Sequence, residues 1–281
     1  VESFRKYKRC LYNLGLLHEI GLPAPPVSDL IEMNNVTFET AKNGRFRTIP
    51  SSIVFDAFRG AIEFHFKLGK EVINAYLRLA ILAMRNDCNV RQISSEDFNK
   101  AIGPKLKELG VKYASLDYLQ LFRDNTKTKE DYFDCFRKNE GLHELLLVYF
   151  GATQLVVGAL TARRVGELCE LLLGGAVDVS GGWIVFKNRK STKGLMGLRA
   201  TEARPIEPIA VEMMQELERF HRVLNRIGFG GQQDHLFSSP HNVGDLGRRI
   251  PASHTYNRHL DLMCDYLQTA LDSEGRRYYI R

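Results

Sequence analysis

The chain has 281 residues, 44% of them hydrophobic, with 39 Lys and Arg against 33 Asp and Glu, a formal charge of +6 and a pI near 9.0. That length gives room for one large domain or two ordinary ones, and the modest basic excess fits a polyanionic partner without demanding one. The five cysteines, at 10, 88, 135, 169 and 264, are odd in number and form no CxxC pair, which argues against a disulfide framework or a cysteine-based zinc site and for free thiols in a reducing compartment.

The first segment, VESFRKYKRC, is charged, lacks an apolar run and does not begin with methionine; the expectation is a piece of a longer protein without a signal peptide. Residues 1–20 read as a helix, with Leu11, Leu14, Leu17 and Ile20 as its apolar positions, stopped by GLPAPP at 21–26, because proline cannot continue a helix. Residues 27–47 read as irregular, ending in a basic cluster around Arg45 and Arg47. A long helical region opens at Ile49-Pro50-Ser51, with Phe55, Phe58, Ile62 and Phe66 recurring every three to four residues. It resumes from Lys70 to Met84 after a break near Gly69 and ends at Asn86-Asp87. Ser94-Ser95-Glu96-Asp97 supplies a capping start for a helix to about Leu109, closed by Gly110. The charged stretch 123–138, with KTKED at 127–131, reads as a linker or surface insertion.

Residues 145–162, LLLVYFGATQLVVGALTA, carry no formal charge. They are at the short limit for crossing a bilayer and include Gln154 and two threonines, with Glu144 and Arg163 as flanking charges; a helix buried on all sides of a domain core, Leu142 to Leu160, is the expectation. Residues 161–173 then read as a further helix. Glycine-rich turns at 174–175 and 180–182 precede a strand from Trp183 to Lys187, a basic loop, and a second strand near 203–207. Pro208 opens an amphipathic helix over 209–226 with Met213, Leu217, Phe220 and Leu224 on one face. GFGGQQD, 228–234, matches neither GxGxxG nor a P-loop and reads as loop. A last helix runs from His254 to about Leu271. The fold class expected is mainly α with a small antiparallel β-sheet.

The stretch TARRVGELCEL, 161–171, sets two arginines side by side. On a continuous helix, Arg164 aligns with Leu160, Leu168 and Leu171, and Arg163 with Glu167 and Glu170; Arg164 is then the one expected to turn inward. Two readings follow: a structural ion pair with Glu167, or a guanidinium held ready for an anion, since its planar fork suits phosphate.

That stretch resembles the first arginine box of the tyrosine recombinases (phage integrases), whose pattern is Thr-Gly-x-Arg-x-x-Glu-Leu-x-x-Leu. Thr161, Arg164, Glu167, Leu168 and Leu171 fall in register; Ala162 stands where glycine is usual, and Asp178 is a candidate for the aspartate that often follows. WIVFKNRKSTKG resembles the family's β-hairpin with a lysine at its turn, and RPIEP, 204–208, its strand leading into a proline-led helix. Residues 187–204 hold Lys187, Arg189, Lys190, Lys193, Arg199 and Arg204 against Glu202 alone. The resemblance covers about 60 contiguous residues.

The resemblance implies a recombinase-like catalytic core and site-specific breakage and rejoining of double-stranded DNA through a 3′-phosphotyrosyl link. Arg164 and Glu167 would belong to the catalytic set with Lys190 as general acid, Lys193 being its alternative, and Lys187, Arg189, Lys193 and Arg199 would contact DNA. No metal or cofactor is implied. A tetramer on DNA holding two sites and a bacterial cytoplasmic, nucleoid-associated setting are. Residues 1–47 would be the tail of an upstream helical clamp and 48–281 the catalytic domain, with an insertion near 86–138, or alternatively a boundary within 123–138. The family also needs His-x-x-Arg and a later tyrosine. None of the eight histidines has arginine three positions on; His254 has Arg258 at four. RRYYIR, 276–281, resembles the approach to that second box, so the expectation is a catalytic domain cut short that binds DNA without cleaving it. Tyr278 and Tyr279 precede the place of the family's nucleophile and read as ordinary structural tyrosines. Rival readings are a non-catalytic DNA-binding protein with an integrase-like shell and a helical protein-interaction domain.

Overall fold

The computed structural model describes residues 17–23, 48–116, 129–178, 180, 182–187, 201–240, 248–249 and 251–280. The chain divides into two compact units, 1–48 and 49–281. In the first, a helical turn at 17–19 ends at Gly21, whose φ of 83° lets Gly21 N donate to His18 O and Leu22 N to Leu17 O, a glycine-terminated helix end.

The second unit is mainly helical with a small antiparallel sheet. Helix α1, Ser51–Phe64, runs through a π-helical turn, His65–Gly69, into α2, Lys70–Arg85. The break expected near Gly69 is thus a widening of the helix. Its cause is local packing: a Cβ on Gly69 would lie 2.5 Å from Tyr149 Cε2, and the His65 ring sits in the turn with Nδ1 3.0 Å from the Tyr149 hydroxyl and Nε2 3.3 Å from Glu212 Oε1. The face expected to be buried on α1 is corrected. Phe55 and Phe66 are 70% and 65% exposed, while Ala57, Ala61 and Phe64 enter the core. Small residues let α1 lie close to its neighbours, and a large side chain at those positions would hold it away.

Helix α3, Ser95–Leu109, starts as expected, with Ser94 Oγ accepting from Asp97 N at 3.1 Å, and ends at Gly110 in the left-handed region. It is kinked at Gly103, φ 74°, just before Pro104, because the residue before proline is pushed out of the helical region. Arg78 Nε donates to the Ala101 carbonyl beside that kink. The stretch expected as linker or surface insertion contains α4, Lys129–Arg137, with Phe136 buried and its ring 5.9 Å from Tyr266; residues 117–128 lie outside the described residues. A charged composition hid two aromatics four residues apart, enough to dock a short helix.

Helix α5, Leu142–Thr161, is the centre of the unit and is buried on every side from Leu142 to Val157. It is the one described helix long and apolar enough to cross a membrane, and 83% of its apolar window is buried inside the protein. Helices α1, α2, α7 (Pro208–Arg226) and α8 (Ser253–Tyr266) pack around it. The approach of α8 is so close that a Cβ on Gly151 would stand 2.3 Å from the His259 carbonyl oxygen. Helix α7 buries Met213, Leu217, Phe220 and Leu224 completely, as its periodicity predicts. Helix α8 ends at Tyr266, short of the expected Leu271, and Gln268 at φ 50° turns the chain back.

Strands β1, Trp183–Lys187, and β2, Thr201–Pro205, form an antiparallel pair with Trp183 opposite Pro205 and Lys187 opposite Thr201. The second strand therefore sits two residues earlier than expected. Ile184 and Phe186 point into the core while Trp183 and Lys187 face outward, the alternation of a half-buried strand. A second, two-residue pair joins β3, Ser239–Pro240, to β4, Arg248–Arg249.

Candidate functional site: the arginine turn

The expected helix over 161–173 does not form as one piece. Helix α5 stops at Thr161 and Ala162 adopts φ 50°, ψ 39°, the left-handed conformation that closes helices. Arg164 is extended, at φ −74°, ψ 145°, and starts the short helix α6, Val165–Leu168. A helical wheel cannot be drawn through such a reversal, and the expected orientation is inverted. The Arg163 side chain is 12% exposed and that of Arg164 is 53% exposed.

Arg163 turns inward along strand β1. Its guanidinium carbon lies 4.5 Å from the centre of the Phe186 ring, and its Nε donates to the Thr161 carbonyl at 3.0 Å. This is a cation held over an aromatic face. Glu167, whose side chain is 3% exposed, sits beneath both arginines. Its Oε1 is 3.5 Å from Arg164 Nη1, its Oε2 is 3.9 Å from Arg163 Nη1, and Oε2 also accepts from Arg164 N at 3.3 Å. A buried carboxylate needs such partners, and here they come from a backbone amide and two guanidinium groups. Arg164 is therefore tethered to Glu167 through both its backbone amide and its Nη1, with about half of its side chain still exposed.

The turn is fixed from three sides, because α5, α8 and β1 all pack against α6. β1 is launched by Asp178, whose Oδ1 accepts from Gly182 N at 3.1 Å and Trp183 N at 2.9 Å, and whose Oδ2 accepts from the Ser180 hydroxyl. The Ser180 hydroxyl, followed by the backbone amides, holds the Asp178 carboxyl below its ordinary 3.8. Asp178 is thus the nucleus of the turn that leads from the arginines to the hairpin. Lys187 ends β1 and faces solvent. Arg189, Lys190, Lys193 and Arg199 lie outside the described residues.

Tyr279 lies on a C-terminal strap that folds back along α8, and its hydroxyl donates to Asp265 Oδ1 at 3.1 Å. Burial, reinforced by the Asp265 charge, pushes its phenol up to about 12; that is the opposite of an activated nucleophile. The Tyr278 backbone ties the strap to Ala270 and Thr269. Deeper in the core, His259 Nδ1 lies 3.1 Å from Gln154 Nε2, and burial lowers the imidazole to about 3, so it is neutral.

Reading the sequence as a continuous helix missed Arg163 as the inward residue. The reversal sits at Ala162, which adopts the left-handed conformation that glycine usually supplies at a helix end. Compared with protein-family models, with curated proteins and with solved structures, the chain matches none of them.

Proposed function

We propose that this chain is the DNA-binding core of a tyrosine-recombinase-like strand transferase, in which Arg164 grips the scissile phosphate of duplex DNA. The observation that carries the reading is the pairing of opposites at one turn: an arginine 53% exposed, tied through its backbone amide and its Nη1 to a carboxylate only 3% exposed. A cation held this way loses little freedom on meeting a phosphate, which is the preorganisation that charge stabilisation in a transition state requires. The hairpin that begins at Trp183 packs beside it, with Lys187 at the end of its first strand.

In the reaction, a tyrosine hydroxyl attacks the scissile phosphate and displaces the 5′ oxygen, leaving a 3′-phosphotyrosyl link. Arg164 neutralises charge on the pentavalent phosphate, and Glu167 positions Arg164. Lys190 hands a proton to the departing oxygen. Loss of one such charge-stabilising donor lowers the rate by about 10²–10³. Assembly as a tetramer on two DNA sites, in the cytoplasm, belongs to the same proposal.

A second reading, a DNA-binding protein without strand transfer, is favoured by two observations: these 281 residues contain no His-x-x-Arg, and the Tyr279 hydroxyl is pinned to Asp265. Two assays test the DNA readings. Fluorescence anisotropy with labelled duplex DNA at several salt concentrations should show binding that weakens linearly on a log–log plot, as counterion release requires. Denaturing gels after incubation with DNA should show no covalent adduct from these residues alone. Absence of salt-dependent binding would overturn both DNA readings in favour of a helical interaction domain. A covalent adduct formed by this chain would remove the second reading and also overturn the expectation that these residues alone bind DNA without cleaving it.

A further inference from the structure

Behind the arginine turn lies a cavity of about 250 Å³, near the lower edge of small-molecule pockets, which start at roughly 300 Å³. Val54 from α1, Leu155 from α5, Leu168 from α6 and Leu260 from α8 give it an apolar wall, and Gln154 adds one amide. Among the described residues, Arg163 is the one charged residue in that wall.

Its state is unusual for an arginine whose side chain is 12% exposed. A guanidinium has five N–H donors, yet among the described residues Arg163 donates one hydrogen bond, from Nε to Thr161 O. Its Nη1 stops 3.9 Å from Glu167 Oε2, beyond hydrogen-bond reach. Within the trio, two positive charges, on Arg163 and Arg164, face one negative charge on Glu167. A nearly buried cation with unspent donors is costly unless an anion completes it.

We propose that this cavity binds a small amphipathic carboxylate, with its apolar tail against Val54, Leu155, Leu168 and Leu260 and its carboxylate paired with the Nη groups of Arg163. The fork of a guanidinium matches a carboxylate bidentately, and the apolar wall excludes the water that would otherwise weaken the pair. The site does not depend on the DNA reading, because it needs neither Arg164 nor the hairpin loop.

Isothermal titration of the whole chain, with no DNA present, tests it using octanoate and the uncharged 1-octanol as probes. Octanoate should bind at least tenfold more tightly than octanol. Arg163→Gln should abolish that advantage while leaving octanol binding unchanged. Val54→Trp, which fills the cavity from its rim, should abolish binding of both probes; it keeps the proposal testable should circular dichroism show Arg163→Gln to be unfolded. The proposal is overturned by octanoate that fails to bind, that binds no better than octanol, or that binds Val54→Trp as well as the unaltered chain.

Discussion

Helix α5 and the turn that ends it are consecutive in the chain and opposite in what fixes them. From Leu142 to Val157 every side chain is buried, so composition alone dictates a central helix; no period needs to be read. One residue later than Thr161, a single backbone reversal at Ala162 decides which arginine enters the core. Many weak contributions hold the first region, and a few specific ones hold the second. Damage to α5 should therefore cost stability, whereas damage to the turn should alter charge placement and binding.

The largest effect expected is in α5. Phe150 is fully buried, its ring 6.0 Å from Phe220 and 5.6 Å from His259. Phe150→Ala should lower unfolding free energy by about 3–5 kcal/mol through lost burial and a residual cavity, read by urea denaturation. A loss below about 1 kcal/mol would mean that α5 is not the centre of the fold.

The same core should make the protein acid-sensitive. His259, ordinarily 6.5, is lowered to about 3 in the folded state, so the unfolded chain binds the proton first. Its contribution is fully present above pH 6.5 and is lost as pH falls from there towards 3. The slope is about 1.4 kcal/mol per pH unit for one such proton. His259→Gln should flatten that limb in denaturation curves taken between pH 6.5 and 4. An unchanged slope would place the proton uptake on another group.

At the turn the effects should be smaller and can be favourable. Ala162 is exposed and left-handed at φ 50°, a conformation that costs a residue with a Cβ roughly 1 kcal/mol more than glycine. Ala162→Gly should raise stability by about 0.5–1 kcal/mol, visible as a higher Tm. A lower Tm would show that the turn is not strained as described.

The sequence made most of the helical frame legible, for reasons that differ by element. The Ser94 cap, the Gly110 stop and the Met213–Leu224 stripe are local signals, and each reappears where its chemistry puts it. What escaped is non-local. The outward Phe55 and Phe66 result from α1 choosing its alanine face, and the π turn at His65–Gly69 results from Tyr149, distant in sequence. At the candidate site, the sequence places Glu167 one turn from both arginines, and the structure pairs it with each, but a continuous helix reverses their directions. A periodic pattern continued through Ala162, and nothing in the side chains of Arg163 and Arg164 announces a change of phase.

The measurement that tests the central claim most directly compares Arg164→Ala with Arg163→Ala in salt-dependent binding to duplex DNA. Both variants remove one positive charge, so net charge is matched. If Arg164 is the residue that meets the phosphate, its loss should reduce the magnitude of the slope of log K against log salt by about 1, leaving stability within about 0.5 kcal/mol. Arg163→Ala, once corrected for any unfolded fraction, should leave the slope unchanged. Equal slopes for the unaltered chain and Arg164→Ala would contradict the account.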